Sequence, residues 1–512
     1  MPLDHFGGAP GTFKNRYWVN ASYYELGGPV FFFDSGEQNA EPLLSYYLQE
    51  YHGLSATMRL AKRYNGVAVL WEHRFYGDSL PFPVNDNTTT EQWQFLTTEQ
   101  ALEDVVYFAD RFTLPSSTQS QNPSVNFSSA ALHPSLTPWV WIGGSYPGVR
   151  GALLRVRNPA TFFAVWASSA PVQAQVDMAS YYKAAERSLT RNCSADWVAV
   201  TKYVDATLAN GTDAEQILLK QRLLGARASS PTKNVTVSLA TAANTSDVSA
   251  AGVLMDPLDF YQYYGFNASL LPFCNILETH NFIVDAQEFG LAAADSIEVA
   301  LDSFLTGLVQ INYDEIPGDP DDPVADLSWM WQYCSEYGFY QRGDPNNPLS
   351  IETSFLSLEL FQQECNNTFG SGLPPSPQVE HVNKYGGWDM SPSNVLFTMG
   401  EFDPWRTMGL ASIEDNSPHR LPSVVVPRCN EAPAYPSFFG LTHANMVHVS
   451  DLRVLLTPDS NHSDFRTVGF YSPVSQEPFY SGLALFELAL DEWLPCFGAD
   501  KTIQSVLMDR RF

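Results

Sequence analysis

The chain of 512 residues carries 28 Lys and Arg against 56 Asp and Glu, a formal net charge of −28, with 45% apolar and only 16% charged residues. That apolar content fills one large core or several, and excludes a disordered chain or a coiled coil. The charge repels phosphate backbones with no basic run to offset it, so nucleic acid is not expected as a partner; an acidic milieu, where many carboxylates are protonated, suits this composition.

The N-terminal stretch Met1-Pro2-Leu3-Asp4-His5 lacks a basic segment followed by an apolar one, and no run of 18 apolar residues follows, so no membrane span is expected. Ten Asn-x-Ser/Thr acceptors nevertheless point to the secretory route: Asn20, Asn87, Asn126, Asn192, Asn210, Asn234, Asn244, Asn267, Asn366 and Asn461. A secreted protein whose signal peptide has been trimmed is the expectation, with lysosome or vacuole as the alternative. The six cysteines, Cys193, Cys274, Cys334, Cys365, Cys429 and Cys496, form no Cys-x-x-Cys pair, which disfavours zinc and thioredoxin-like chemistry. Disulfides are expected, with a free thiol pair open and about 15 pairings indistinguishable from sequence.

Short apolar runs bounded by Gly and Pro read as buried strands at Pro29–Phe33, Gly66–Trp71, Trp139–Ile142 and Phe162–Trp166. Between them, Thr98–Ala109 places Leu102, Val105, Val106 and Ala109 on one helical face. From about Ser180 to Pro377 the texture becomes helical, as in Asp213–Leu224, with a polar segment at Ser229–Ser249. Strand-like runs return at Asn394–Thr398 and Ser423–Val426, and a helix starting near Gly482 closes the chain. The fold class expected is α/β, a parallel sheet built from both ends of the chain around a helical insertion. Its parts are residues 1–178, a cap at 179–378, and 379–512.

The sharpest local signal is Trp139-Val-Trp-Ile-Gly-Gly-Ser-Tyr-Pro-Gly148: a buried strand, two glycines, one hydroxyl, then a helix-competent segment. This is the grammar of a nucleophile elbow, where a tight turn thrusts a serine above the sheet and the helix N-terminus supplies N–H groups to an oxyanion. Ser145 is the candidate nucleophile. Pro147 stands where a Gly-x-Ser-x-Gly motif has glycine, which a first helical turn tolerates because the lost N–H has no helical partner.

The α/β-hydrolase order of Ser, acid, His selects the partners. Asp403, in Gly400-Glu-Phe-Asp-Pro-Trp405 just past a strand, is the candidate acid, with Glu401 its competitor. His448 is the candidate base, and His443 and His462 are alternatives by spacing.

These motifs, with Leu3–Phe6, Phe13–Trp18, Glu72-His-Arg-Phe-Tyr-Gly-Asp-Ser79, Leu96–Leu102, Ala167–Pro171, Trp331-Gln-Tyr-Cys-Ser-Glu336 and His448-Val-Ser-Asp-Leu-Arg453, give the chain a resemblance over nearly its full length. It resembles the prolyl carboxypeptidase family of serine peptidases, which includes lysosomal Pro-X carboxypeptidase, dipeptidyl peptidase II and fungal secreted prolyl endopeptidases. The resemblance implies an α/β-hydrolase core with a helical cap between nucleophile and acid, and cleavage after proline by a Ser145, His448, Asp403 acyl-enzyme mechanism. No metal or organic cofactor is implied. Trp405 would line the proline pocket, since a flat indole suits the pyrrolidine ring. The oxyanion donors would be the Tyr146 N–H and one from the loop holding Gly36 and Glu37. Family members usually carry a second glycine at the Pro147 position and often paired histidines where this chain has His448-Val449.

The expected partners are proline-containing peptides or proteins; the oligomeric state is left open. An esterase of the same fold and a non-catalytic binding protein are the rival readings. Among peptidase modes the endopeptidase is favoured over the Pro-X carboxypeptidase and X-Pro dipeptidyl peptidase, and Glu336 is read as a solvated or structural carboxylate in preference to an anchor for a substrate amine.

Overall fold

A computed structural model describes residues 1–49, 55–126, 131–259, 261–280, 283–284, 289–311, 322–452 and 477–498. The strands in chain order are β1 (Tyr17–Asn20), β2 (Val30–Asp34), β3 (Val67–Trp71), β4 (Trp139–Gly144), β5 (Ala164–Ser168), β6 (Gln175–Asp177), β7 (Thr279–His280), β8 (Ile283–Val284), β9 (Gly338–Tyr340), β10 (Val395–Gly400), β11 (Leu421–Ser423) and β12 (Ser437–His443). Eight of them form one sheet in the order β1-β3-β2-β4-β5-β10-β12-β11. Only β1, at one edge, runs antiparallel to its neighbour.

The central strands are buried on both faces, which is why they read as unbroken apolar runs. Period-two alternation divides them: Phe32, Val69, Trp141, Val165 and Phe397 face one core, and Phe31, Leu70, Ile142, Trp166 and Leu396 the other. Helices Thr98–Arg111 and Tyr146–Arg157 cover the first face, through Leu102, Val105, Val149 and Leu153. Helices Ala56–Arg63 and Glu477–Trp493 cover the second, through Leu60, Phe486 and Leu490. The sheet is thus an α/β-hydrolase core, built from residues 17–168 and 395–443.

Between those two stretches the described residues are mostly helical. Helices Arg191–Asn210, Asp213–Arg227, Leu271–Leu277 and Ile297–Ile311 enclose a cluster containing Trp197, Leu223, Phe273 and Phe304, tied by the Cys193–Cys274 disulfide. A second cluster joins Phe75, Trp93 and Leu96 of the core to Trp331 and Phe369, beside the Cys334–Cys365 bridge. The third bridge, Cys429–Cys496, ties the loop after β11 to the end of the last helix. All six cysteines are paired, and no helix of the described residues is long and apolar enough to cross a membrane.

One strand differs from its expected place. The apolar run Ser423–Val426 contributes only Ser423 to β11, while Val424 and Val425 are exposed at 61% and 75%. The run lies at the open edge of the sheet, where no neighbour buries a β-branched face.

Candidate active site

The carboxyl ends of β2, β4, β10 and β12 lie along one edge of the sheet and carry, in turn, the Gly36–Glu37 loop, Ser145, Asp403 and the His448 loop. This is where parallel sheets place their sites.

Ser145 caps the helix Tyr146–Arg157 with φ 64° and ψ −131°, a backbone state that a residue with a Cβ occupies at a cost of about 1–3 kcal/mol. The turn is held from both sides. The Ser145 N–H donates to the Ser168 carbonyl (2.8 Å), and the Ser145 carbonyl accepts from Val149 N–H (3.1 Å). At Gly144 a Cβ would stand 2.5 Å from Val449 Cγ1, so the residue after His448 packs on the residue before Ser145. Val449 itself has φ 53° and is fixed by its N–H to Ser169 Oγ (2.8 Å). A β-branched residue at positive φ is a strained outlier, and here it brings the His448 loop against the serine turn.

His448 and Asp403 meet directly. Imidazole Nδ1 is 2.9 Å and 3.1 Å from the two Asp403 oxygens, with both side chains buried. That contact leaves Nε2 as the face available to a hydroxyl. Asp403 also accepts from Trp405 N–H (2.9 Å), which fixes the turn that presents it. The competitors are otherwise engaged. Glu401 accepts from Asn445 N–H (2.9 Å), bracing the loop before the histidine. His443 lies on β12 with Nε2 3.4 Å from Asp451, whose other oxygen accepts from Ser168 Oγ. His462 and the acceptor Asn461 lie outside the described residues.

Of the expected oxyanion donors, the Tyr146 N–H opens a helix, where it has no intrahelical acceptor. The Gly36 N–H points at Asp34 Oδ1 (3.2 Å). Beneath the turn, Arg150 pairs with Asp34 and donates to the Ala101 carbonyl (2.7 Å). His73 bonds Tyr146 Oη through Nε2 (3.0 Å), and burial holds its pKa well below the usual imidazole value.

Trp405 stands in an aromatic corner formed with Tyr181 (centroids 5.3 Å), Phe339 (5.1 Å) and His448 (6.1 Å). Sequence reasoning missed the residue that assembles it. Gln262, in the helix Tyr261–Gly265, accepts at Oε1 from Trp405 Nε1 (3.1 Å) and Tyr181 Oη (2.6 Å), and its carbonyl accepts from His448 N–H (3.2 Å). A glutamine in a tyrosine-rich helix gives no signal in one sequence.

Several motifs prove to be scaffolding. Arg74 forks onto Asp104, which also faces His5 Nε2 (2.8 Å), while Arg74 donates to the Pro2 and Leu3 carbonyls. Glu336 is buried and caps the helix Thr98–Arg111 through Thr98 N (2.7 Å) and Oγ1 (2.8 Å), with His381 on its other oxygen (3.2 Å). It is therefore committed within the protein and not presented to a substrate amine.

Of the acceptor asparagines, Asn87, Asn126, Asn210, Asn234, Asn244, Asn267 and Asn366 are exposed. Asn20 and Asn192 are half-buried, and Asn20 donates to the Leu48 carbonyl (2.8 Å). Among the described residues no group of three or more His, Cys, Asp or Glu side chains could hold a metal ion.

The sheet order, the strained serine turn on β4 and the buried His–Asp pair at the ends of β12 and β10 define an α/β-hydrolase. The chain belongs to the peptidase family described as Serine carboxypeptidase S28, which it matches over residues 1–429, and is a serine peptidase. It is similar to "Serine protease vicPb" of Bipolaris victoriae, with 26% identity over 446 residues, 80% of this chain and 78% of that protein. To the "Probable extracellular serine carboxypeptidase" of Arthroderma benhamiae it is 30% identical, over 80% of this chain and 58% of that one. The "Thymus-specific serine protease" of Mus musculus is 27% identical, over 85% and 82% of the two chains.

Proposed function

We propose that the protein is a secreted, glycosylated serine peptidase that cleaves after proline at acidic pH, with Ser145 as nucleophile, His448 as general base and Asp403 as the acid that orients it. His448 Nε2 takes the Ser145 proton as the hydroxyl attacks the proline carbonyl, and returns it to the leaving amine. The tetrahedral oxyanion is held by the Tyr146 and Glu37 N–H groups, and water releases the acyl-enzyme. Residues 179–378 act as the cap.

The aromatic corner of Trp405, Tyr181 and Phe339 beside His448 carries the proline reading. A pyrrolidine ring has apolar faces and no N–H, so it gains from flat aromatic walls and demands no hydrogen bond of them. The mode is read as endopeptidic. Glu336 is spent on Thr98, and Arg406, next to Trp405, donates to the Ala411 and Glu401 carbonyls. Glu336 is therefore not at liberty to hold a substrate amine, and Arg406 spends Nε and Nη1 on backbone carbonyls.

Three chromogenic substrates test this at mildly acidic pH, with Ser145→Ala as control: a blocked peptide ending in Pro, a free-amine X-Pro, and a blocked Pro-X with a free carboxylate. Turnover of the first, lost in the variant and lost when Ala replaces Pro, supports the reading. Preference for either of the others overturns the endopeptidase mode, and hydrolysis of simple esters alone overturns the peptidase specificity.

A further inference from the structure

Strand β5 carries no member of the proposed triad, yet its end touches the supports of all three. Ser168, its last residue, is in register with Gly144 of β4 on one side and Thr398 of β10 on the other, the strands that run into Ser145 and Asp403. The Ser168 carbonyl accepts the Ser145 N–H (2.8 Å), and the Ser168 hydroxyl donates to Asp451 Oδ1. Ser169 follows at φ 47°; its N–H donates to the Thr398 carbonyl (2.7 Å) and its Oγ accepts the Val449 N–H (2.8 Å). Val449 and Asp451 both follow His448 in its loop, so that loop is pinned twice to the dipeptide that holds the serine turn. Between the pins the loop braces itself: Ser450 Oγ donates to the Val447 carbonyl (2.7 Å) and accepts the Val447 N–H (3.1 Å). Ser168, Ser169 and Asp451 are all buried, so these bonds have no water to replace them. The second Asp451 oxygen faces His443 Nε2 (3.4 Å), and a Cβ at Gly482 would stand 3.1 Å from it, so the last helix closes over the network.

We propose that Ser168 and Ser169 are positioning residues that set the separation of Ser145 and His448: one dipeptide holds the serine turn by a carbonyl and the base loop by two hydroxyls. They act through the Ser145 backbone and the His448 loop, not on the substrate. Proton transfer from Ser145 Oγ to His448 Nε2 needs the two atoms within hydrogen-bond reach, and a misplacement of about 1 Å costs about 10²-fold in rate. The inference rests on the serine acyl-transfer reading above.

Steady-state kinetics on the blocked peptidyl-proline substrate, and the rate of covalent labelling by a fluorophosphonate, test it in Ser168→Ala and Ser169→Ala. Both are measured at a temperature where circular dichroism shows each variant folded. Each variant is expected to lose about 10–100-fold in kcat with KM kept within about threefold, and to lose labelling rate in proportion. A purely structural role would lower the melting temperature and leave the kcat of the folded enzyme unchanged. Wild-type kcat in either folded variant, or a loss confined to KM, overturns the proposal. Ser169→Ala decides alone where Ser168→Ala does not fold; if neither folds, the dipeptide is structural and the proposal fails. Turnover surviving in Ser145→Ala would instead remove the acyl-transfer reading, and so separates the two failures.

Discussion

The ring of Pro147 lies on Gly36 so closely that a Cβ at Gly36 would stand 2.3 Å from the proline Cγ. Proline at this place in the serine turn is accommodated because Gly36 opposite it has no side chain and a φ of +67°. The two loops proposed to supply the oxyanion donors are therefore shaped against each other.

Gly36→Ala should displace that loop and lower kcat by about 10²–10³-fold, the cost of a lost oxyanion donor, with a smaller effect on KM. Pro147→Gly in the same chain removes the clashing ring and should recover part of the loss. Steady-state kinetics of the single and double variants check this; a double variant no better than Gly36→Ala would place the damage in backbone strain alone.

Asp403→Asn should reduce kcat by about 10⁴-fold while the fold is kept, because the amide no longer orients His448 in the required tautomer. Glu401→Gln, which keeps an oxygen for Asn445, should stay within about threefold of the wild type. The pair of rates distinguishes the two carboxylates of one turn.

Gln262 holds Trp405, Tyr181 and the His448 loop from the helical part of the chain. Gln262→Leu leaves two part-buried donors without their acceptor and should lower kcat/KM for the proline substrate about tenfold. The same variant should change the rate on a small ester far less, since the triad keeps its own bonds.

Stability should rise on moderate acidification. Glu37 and Glu352 have raised pKa values through burial, so the folded chain retains protons that the unfolded chain loses from about pH 4.5 upward. Their contribution is complete below that pH and is lost as pH climbs through the folded values, about 7 for Glu37. Asp104 and Asp451 act oppositely: their partners Arg74 and His443 hold them low, and their contribution is lost as pH falls below about 4. Melting temperatures should therefore be higher at pH 5 than at pH 7.5 and fall again below pH 4, and Glu37→Gln should lessen the decline between 5 and 7.5.

The parts of this arrangement that were legible in the sequence are those imposed by the backbone. A buried strand that ends in Gly143-Gly144 turns tightly into Ser145, and a strand running into Asp403-Pro404 places a carboxylate at the sheet edge. β12 was missed because Gly440 interrupts Ser-Phe-Phe-Gly-Leu-Thr-His; a Cβ there would stand 2.0 Å from the Phe397 carbonyl, so close approach of β10 dictates the glycine. Val424 and Val425 misled for the opposite reason, apolar residues without a neighbour to bury them. Gln262 was invisible because its role depends on side chains that only tertiary packing brings together.

The central claim, an acyl-enzyme on Ser145 formed from a proline residue, is tested most directly by acid-quenching the enzyme during turnover of a blocked peptidyl-proline ester and weighing it intact and after proteolysis. The expected result is one added acyl mass, on the peptide containing Ser145, absent in Ser145→Ala and much weaker with the alanine counterpart of the ester. A covalent adduct on another residue, or equal trapping of the proline and alanine acyl groups, would contradict it.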